Sequence, residues 1–212
     1  MNGSKFERRV LQRALKGIGV QPRGDGGDIF DALLAAYNAK SRYYHSQQHI
    51  SDCLVCFSNY RHLAVYPDEI EVALWFHDAI YDPRRQDNEA LSAQWTEHYL
   101  TAVNADPNVI DRIVEMILAT QTHRARGGDS KLLVDMDLSI LGAPPAVFDA
   151  YDQAIRREYA WIPEALYRQA RCEVLRDFLS RETLYQTAEL RQHYEGQARC
   201  NLRRKVEELT QS

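Results

Sequence analysis

At 212 residues, with 26 Lys and Arg against 30 Asp and Glu, the chain carries a formal net charge of −4 and offers no electrostatic footprint for nucleic acid. Nearly half of its residues are apolar and charges of both signs are interspersed, so it can bury a substantial core and does not read as disordered. No apolar stretch approaches the roughly 20 residues of a membrane helix. The opening MNGSKFERRVLQ also lacks the apolar centre of a secretion signal, which predicts a cytoplasmic protein with no membrane partner.

In chain order, Ser4-x-x-Glu7 has the pattern of a capping box, so an amphipathic helix is predicted from there to Gly17 and Gly19, followed by a Gly-rich loop over 17–27. Asp28 suits the cap of a second helix with Ile29, Leu33, Leu34 and Tyr37 on its apolar face. Ser46 suits the start of a third, which places His49 in its first turns and Cys53 one turn further on the same face. Pro67 opens a fourth at the favoured first position, and Pro83 closes it after Asp82.

A fifth helix is predicted over 87–104. Pro107 starts a sixth, in which Ile110, Ile113, Val114, Ile117 and Leu118 recur at helical spacing, with His123 just beyond. Leu132, Leu133, Met136 and Ile140 extend a seventh from Ser130 to Leu141, stopped by Gly142 and the Pro144-Pro145 pair. Two or three longer Arg- and Glu-rich helices follow. No stretch alternates with a period of two, so the expectation is an all-α protein of one domain spanning 1–212, without internal repeats.

Four cysteines include one CxxC, Cys53 and Cys56, but Cys172 and Cys200 form no second close pair, so these residues read as free thiols rather than a structural zinc site. Reduced cysteines agree with a cytoplasmic address.

The run ALWFHDAIYD sets His77 and Asp78 among Leu74, Trp75, Phe76 and Ile80. Packing has no use for an imidazole and a carboxylate in such surroundings, because a buried polar group is costly unless a hydrogen bond, an ion partner or a metal satisfies it. Imidazole and carboxylate together suit a divalent cation, Zn, Mn, Fe, Co, Ni or Mg, and other ligands from separate helices would complete the set.

His49, the doublet His77-Asp78 and Asp137, in that order, resemble the H…HD…D signature of the HD superfamily of metal-dependent phosphohydrolases. The strings RYYHSQQHI (42–50), WFHDAIYD (75–82), DNEALSA (87–93), LLVDMDLSILG (132–142), IRREY (155–159) and ARCNL (198–202) resemble a small bacterial branch of that superfamily, described only as predicted phosphohydrolases. The resemblance covers roughly residues 40–205. It implies a helical bundle of the HD-domain type, with an HD-like core at about 40–142 and C-terminal helices at about 144–210 packed on it. It further implies His49, His77, Asp78 and Asp137 as ligands of a divalent metal, and a small phosphorylated substrate of the nucleotide class cleaved by metal-activated water. Two other readings of the same resemblance are a di-iron, oxygen-dependent enzyme and a regulatory module that binds metal and nucleotide without turnover.

Each candidate competes with a plainer role. His45 lies four residues before His49 and would share its face if the helix began early, so it reads as a supporting or phosphate-contacting residue, or as a surface histidine. Asp135 rivals Asp137, since residues two apart on a helix face different ways, and is left as an exposed or orienting carboxylate. His123 is read as a catalytic residue that contacts substrate or a second ion, against the alternative of a histidine capping free carbonyls at a helix end.

Asp78 and Asp82 are read as catalytic and Glu89 as substrate-contacting, although acidic residues near helix ends also serve as caps. Arg156, Arg157 and Arg171 could clamp a phosphate, yet basic and acidic residues nearly balance from Asp149 onward, as on a solvated helix face. Arg156 and Tyr159, in the IRREY string, are the preferred pair. His62, His98 and His193 read as surface residues.

Overall fold

The structure is a computed structural model that describes residues 6–21 and 27–211, with the backbone alone for 27 and 28. Among the described residues there are ten α-helices and no strand, in agreement with the all-α expectation. The helices are α1 Arg8–Gly17, α2 Gly27–Tyr37, α3 Gln47–Tyr60, α4 Pro67–Phe76, α5 Asn88–Ala102, α6 Pro107–Ala119, α7 Gly128–Asp137, α8 Pro145–Glu158, α9 Glu164–Ser180 and α10 Ala188–Thr210. Short 3-10 turns cover Arg61–Leu63 and Leu138–Gly142. No described helix is long and apolar enough to cross a membrane.

The helices start where local chemistry favours it. Ser46 accepts from Gln48 N–H at the head of α3 and Asp106 from Asn108 N–H at the head of α6, while Pro67 and Pro107 occupy first-turn positions that need no N–H. The predicted capping box fails at its described end. Ser4 lies outside the described residues, and Glu7 is the extended residue before α1 instead of its third helical residue, with its carboxylate on Arg9. Asp28 sits inside α2, its side chain outside the described part of the chain, as are residues 22–26 of the predicted Gly-rich loop.

The chain divides into two compact units, one running to Met136 and one from Asp137 onward. In the first, α4 is the central element, packed against α1, α3, α5 and α6 and buried at every position from Glu69 to Phe76. Such a helix is apolar nearly all round, and the two buried carboxylates it carries are each answered by a neighbour. Arg112 of α6 grips Glu69 with two bonds of 2.6 and 2.7 Å, and Arg13 of α1 and Arg61 grip Glu71. Behind α4, Phe6, Phe30, Tyr37 and Trp75 form an aromatic cluster, and the Tyr37 hydroxyl donates to Trp75 O.

In the second unit, α10 packs on α9 and on the turn Leu138–Gly142. Asn201 donates to Leu141 O and Ala143 O and Tyr185 to Leu138 O, so side chains hold the turn. Inside the same unit Arg171 and Lys205 both pair with the buried Asp152.

The predicted fourth helix ends six residues early. His77 N–H still bonds Ala73 O, but the next carbonyls are taken by side chains, so α4 stops at Phe76 and residues 77–82 form an irregular segment. The seventh helix likewise leaves α geometry at Asp137 and tightens into the 3-10 turn.

Candidate metal centre

His49 is carried in the first turn of α3 and His77 and Asp78 just past the end of α4, and the packing of α3 on α4 brings them together. Both histidines are buried, and the Asp78 side chain is 14% exposed, which leaves one side of the group open to solvent. His77 Nδ1 lies 3.0 Å from Leu74 O. A carbonyl only accepts, so Nδ1 carries a proton, and in the neutral ring Nε2 then presents a bare lone pair.

That lone pair points at the other two groups. His77 Nε2 is 3.2 Å from His49 Nε2 and 3.2 Å from Asp78 Oδ2, and His49 Nε2 is 3.4 Å from the same oxygen. A protonated His49 could bridge the three atoms, but a charge-assisted N–H···O bond closes to about 2.7–2.9 Å. Ligand atoms bound about 2.1 Å from one divalent ion at octahedral or tetrahedral angles stand roughly 3.0–3.4 Å apart. The observed edges fall in that second range. An imidazole anchored through its far nitrogen to a backbone carbonyl is also how a metal-ligating histidine is held in orientation.

Burial alone would raise the Asp78 carboxyl. With His77 protonated, its charge and the hydrogen bonds from His49 and His77 outweigh burial and hold the carboxyl well below the usual carboxylate range; beside the neutral ring a bound cation would supply that positive charge. Tyr37, behind the site, is pushed well above the usual phenol range by burial and by the Asp78 charge.

Cys53, one turn after His49 on α3, brings its buried Sγ to 3.7 Å from His49 Nδ1 and 3.9 Å from Met136 O near the end of α7. The thiol lies against the His49 ring, in line with the shared helix face read from the sequence. Sequence reasoning also missed the residues that hold segment 77–82. Arg42 donates to Asp78 O at 2.6 Å, Ala79 O at 2.8 Å and His45 O at 3.2 Å. Ser92 takes Ile80 N–H and donates to Ile80 O, and Asn88 takes Asp82 N–H and donates to Asp82 O. Asn88 and Ser92 are buried polar residues one turn apart on α5, a spacing visible in DNEALSA. Arg42 opens the string RYYHSQQHI, but its residue type and spacing assign it no role.

Of the remaining candidates, His45 is half-buried, stacked on Tyr81 with centroids 4.0 Å apart, and 6.0 Å by the same measure from His49. Asp82 is exposed and accepts from Arg84 N–H, a turn-forming contact, and Glu89 is half-buried in the first turn of α5. His123 is half-buried in the turn after α6, with a left-handed φ of 50°. Its ring is not part of the triangle. Gln121 Nε2, two residues before it, donates to Gln86 O and so ties that turn to the loop that follows the doublet.

Asp137 is the half-buried last residue of α7. Asp135 is fully buried, which overturns its reading as an exposed carboxylate, because α7 is buried at Asp135 as well as along its apolar positions.

In the second unit the Arg156 guanidinium is engaged by Glu164, Tyr159 O and Ile162 O and lies over Tyr167, with the Tyr159 ring near Tyr167. Arg171 is buried on Asp152 and Tyr151. His62, His98 and His193 are exposed, as expected, and Cys53, Cys56, Cys172 and Cys200 are free thiols. No protein-family model, curated protein or solved structure matches the chain.

Proposed function

We propose that the protein is a metal-dependent phosphohydrolase of the HD type, acting on a phosphate ester or anhydride of a small nucleotide. The observation that carries this reading is the triangle of His49 Nε2, His77 Nε2 and Asp78 Oδ2 with edges of 3.2–3.4 Å, its His77 lone pair directed inward by the Leu74 carbonyl. His49, His77 and Asp78 hold the divalent ion, and the resemblance adds Asp137 to them. A bound divalent cation supplies a lowered water pKa and neutralises charge on phosphoryl oxygens.

The protein's own groups do the rest. Asp78, with one oxygen directed into the triangle, has a second with which to orient a water and accept its proton. His45, stacked on Tyr81 beside the cluster, and His123, in a turn tied to the post-doublet loop, serve as donors to phosphate oxygens.

The test is phosphate release from a panel of nucleotides by protein with verified metal occupancy, with Mn or Co added. Release that disappears in Asp78→Ala supports the reading. Nucleotide binding without release would make the protein a regulatory module, and an iron-rich coloured preparation that consumes oxygen would make it a different enzyme.

A further inference from the structure

The segment that carries Asp78 has no secondary structure of its own to fix it, yet its position decides whether the triangle exists. Its carbonyls at Asp78 and Ala79 both end on one guanidinium, that of Arg42, which also takes the His45 carbonyl four residues before His49. The fork therefore ties the chain leading into α3 to the chain leaving α4, the two pieces of backbone that deliver His49 and Asp78. The Arg42 plane is itself held over Tyr37 on one contact and Tyr81 on another, at 5.1 and 5.6 Å from the ring centroids. A planar fork can span two adjacent carbonyls, whereas an ammonium is a single point charge that cannot do so in the same geometry.

We infer that Arg42 is the positioning residue of the metal centre, setting the separation of His49 from Asp78 through the backbone without touching the ion. This rests on the metal reading above. Supporting partners of metal ligands commonly change affinity by about 10–100-fold when removed, and Arg42 acts one step further along the chain than a direct partner. Its effect falls on the arrangement of ligands, so it is visible in the spectrum of a bound ion as well as in affinity.

The second unit contains a built-in comparison. Arg199 donates to Leu179 O, Arg181 O and Glu182 O, the same task of holding three carbonyls, in a place with no clustered ligands. If holding carbonyls were merely structural, Arg42 and Arg199 variants would differ only in stability.

The experiment uses the full chain, stripped with chelator and titrated with Co²⁺ while its visible absorption and binding heat are followed. Wild type is expected to bind and to show the absorption bands of a nitrogen- and oxygen-ligated site. Arg42→Gln should weaken binding by at least about 10-fold and shift those bands, with circular dichroism showing the helices intact. Arg42→Lys, which keeps the charge and is the variant to use if Arg42→Gln does not fold, should remain impaired. Arg199→Gln should melt earlier yet bind Co²⁺ with the wild-type affinity and spectrum.

Arg42→Lys that binds with the wild-type affinity and spectrum overturns the inference while leaving the metal reading standing. Wild type that takes up no Co²⁺ overturns the metal reading, and the inference with it. An Arg199→Gln effect on the spectrum equal to that of Arg42→Lys would show that the spectral change reports general loosening, which also overturns the inference.

Discussion

At the scale of single residues, the site depends on where two protons sit. His77 donates its Nδ1–H to Leu74 O, which turns the Nε2 lone pair of the neutral ring toward Asp78 Oδ2, and a carboxylate oxygen is also an acceptor. Two acceptors 3.2 Å apart with no proton between them repel unless a cation joins them. Replacing His77 or Asp78 by Ala should therefore reduce uptake of Mn²⁺ or Co²⁺ by more than about 100-fold, beyond what losing a supporting partner costs. Phosphate release should go with it, while circular dichroism keeps its helical amplitude. His62→Ala, on an exposed ring, should match wild type in both assays. A fully active Asp78→Ala, or a His62→Ala as damaged as His77→Ala, would mean the ligands are wrongly assigned. Asp137→Ala and Asp135→Ala, compared in the same uptake assay, decide which carboxylate of α7 belongs to the ligand set.

At the scale of elements, the buried α4 helix is both scaffold and liability. Glu69 is buried while its partner Arg112 is 38% exposed, so the pair stands between a surface ion pair worth little and a buried one whose breaking costs about 3–5 kcal/mol. Arg112→Ala should lower stability in urea by about 2 kcal/mol, and adding Glu69→Gln should recover part of the loss by removing the stranded charge. If the double variant is no better than the single one, the cost lies in the lost contact of the Arg112 guanidinium over the Tyr66 ring instead.

Gly142 makes a second case. A Cβ there would fall 2.7 Å from Tyr194 Cβ and 2.9 Å from Tyr194 O, so Gly142→Ala should cost about 1–3 kcal/mol by overpacking α10. An unchanged urea midpoint would show that α10 can yield at that point.

These elements also show what could be read in advance. The starts of α3, α4 and α6 were legible because a cap or a proline acts within a few residues of itself, at Ser46, Pro67 and Pro107. The end of α4 was not, since Tyr37 takes the Trp75 carbonyl and Arg42, Ser92 and Asn88 hold the segment beyond it, all from elsewhere in the chain. Gly142 looked like a helix stop, whereas the close approach of Tyr194 is what excludes a side chain there. For the site, His49 and the doublet stood out as polar groups in apolar runs, and the structure brings them together. Arg42 carried no such contrast, because an arginine among tyrosines reads the same whether it faces solvent or holds carbonyls.

At the scale of the molecule, the three atoms of the triangle all belong to the unit that ends at Met136, His49 coming from α3 and His77, 28 positions further on, with Asp78 from the segment after α4. An ion bound there joins α3 to the segment after α4 and binds the native arrangement alone, so it stabilises by mass action, by about 2.7 kcal/mol at a hundred times its dissociation constant. In a chain of this size each kcal/mol is worth about 2–4 °C. Thorough chelation should then lower the melting temperature by roughly 5–10 °C, and re-addition of Mn²⁺ or Co²⁺ should restore it. Hydrogen exchange locates the loss: peptides covering α3 and residues 77–92 should lose protection, while those from α9 and α10 should exchange as before. A melting curve unmoved by chelation, in protein shown to contain no metal beforehand, would remove the metal centre from consideration. Protection lost equally in α9 and α10 would show that the ion's effect is not confined to the helices that hold its ligands.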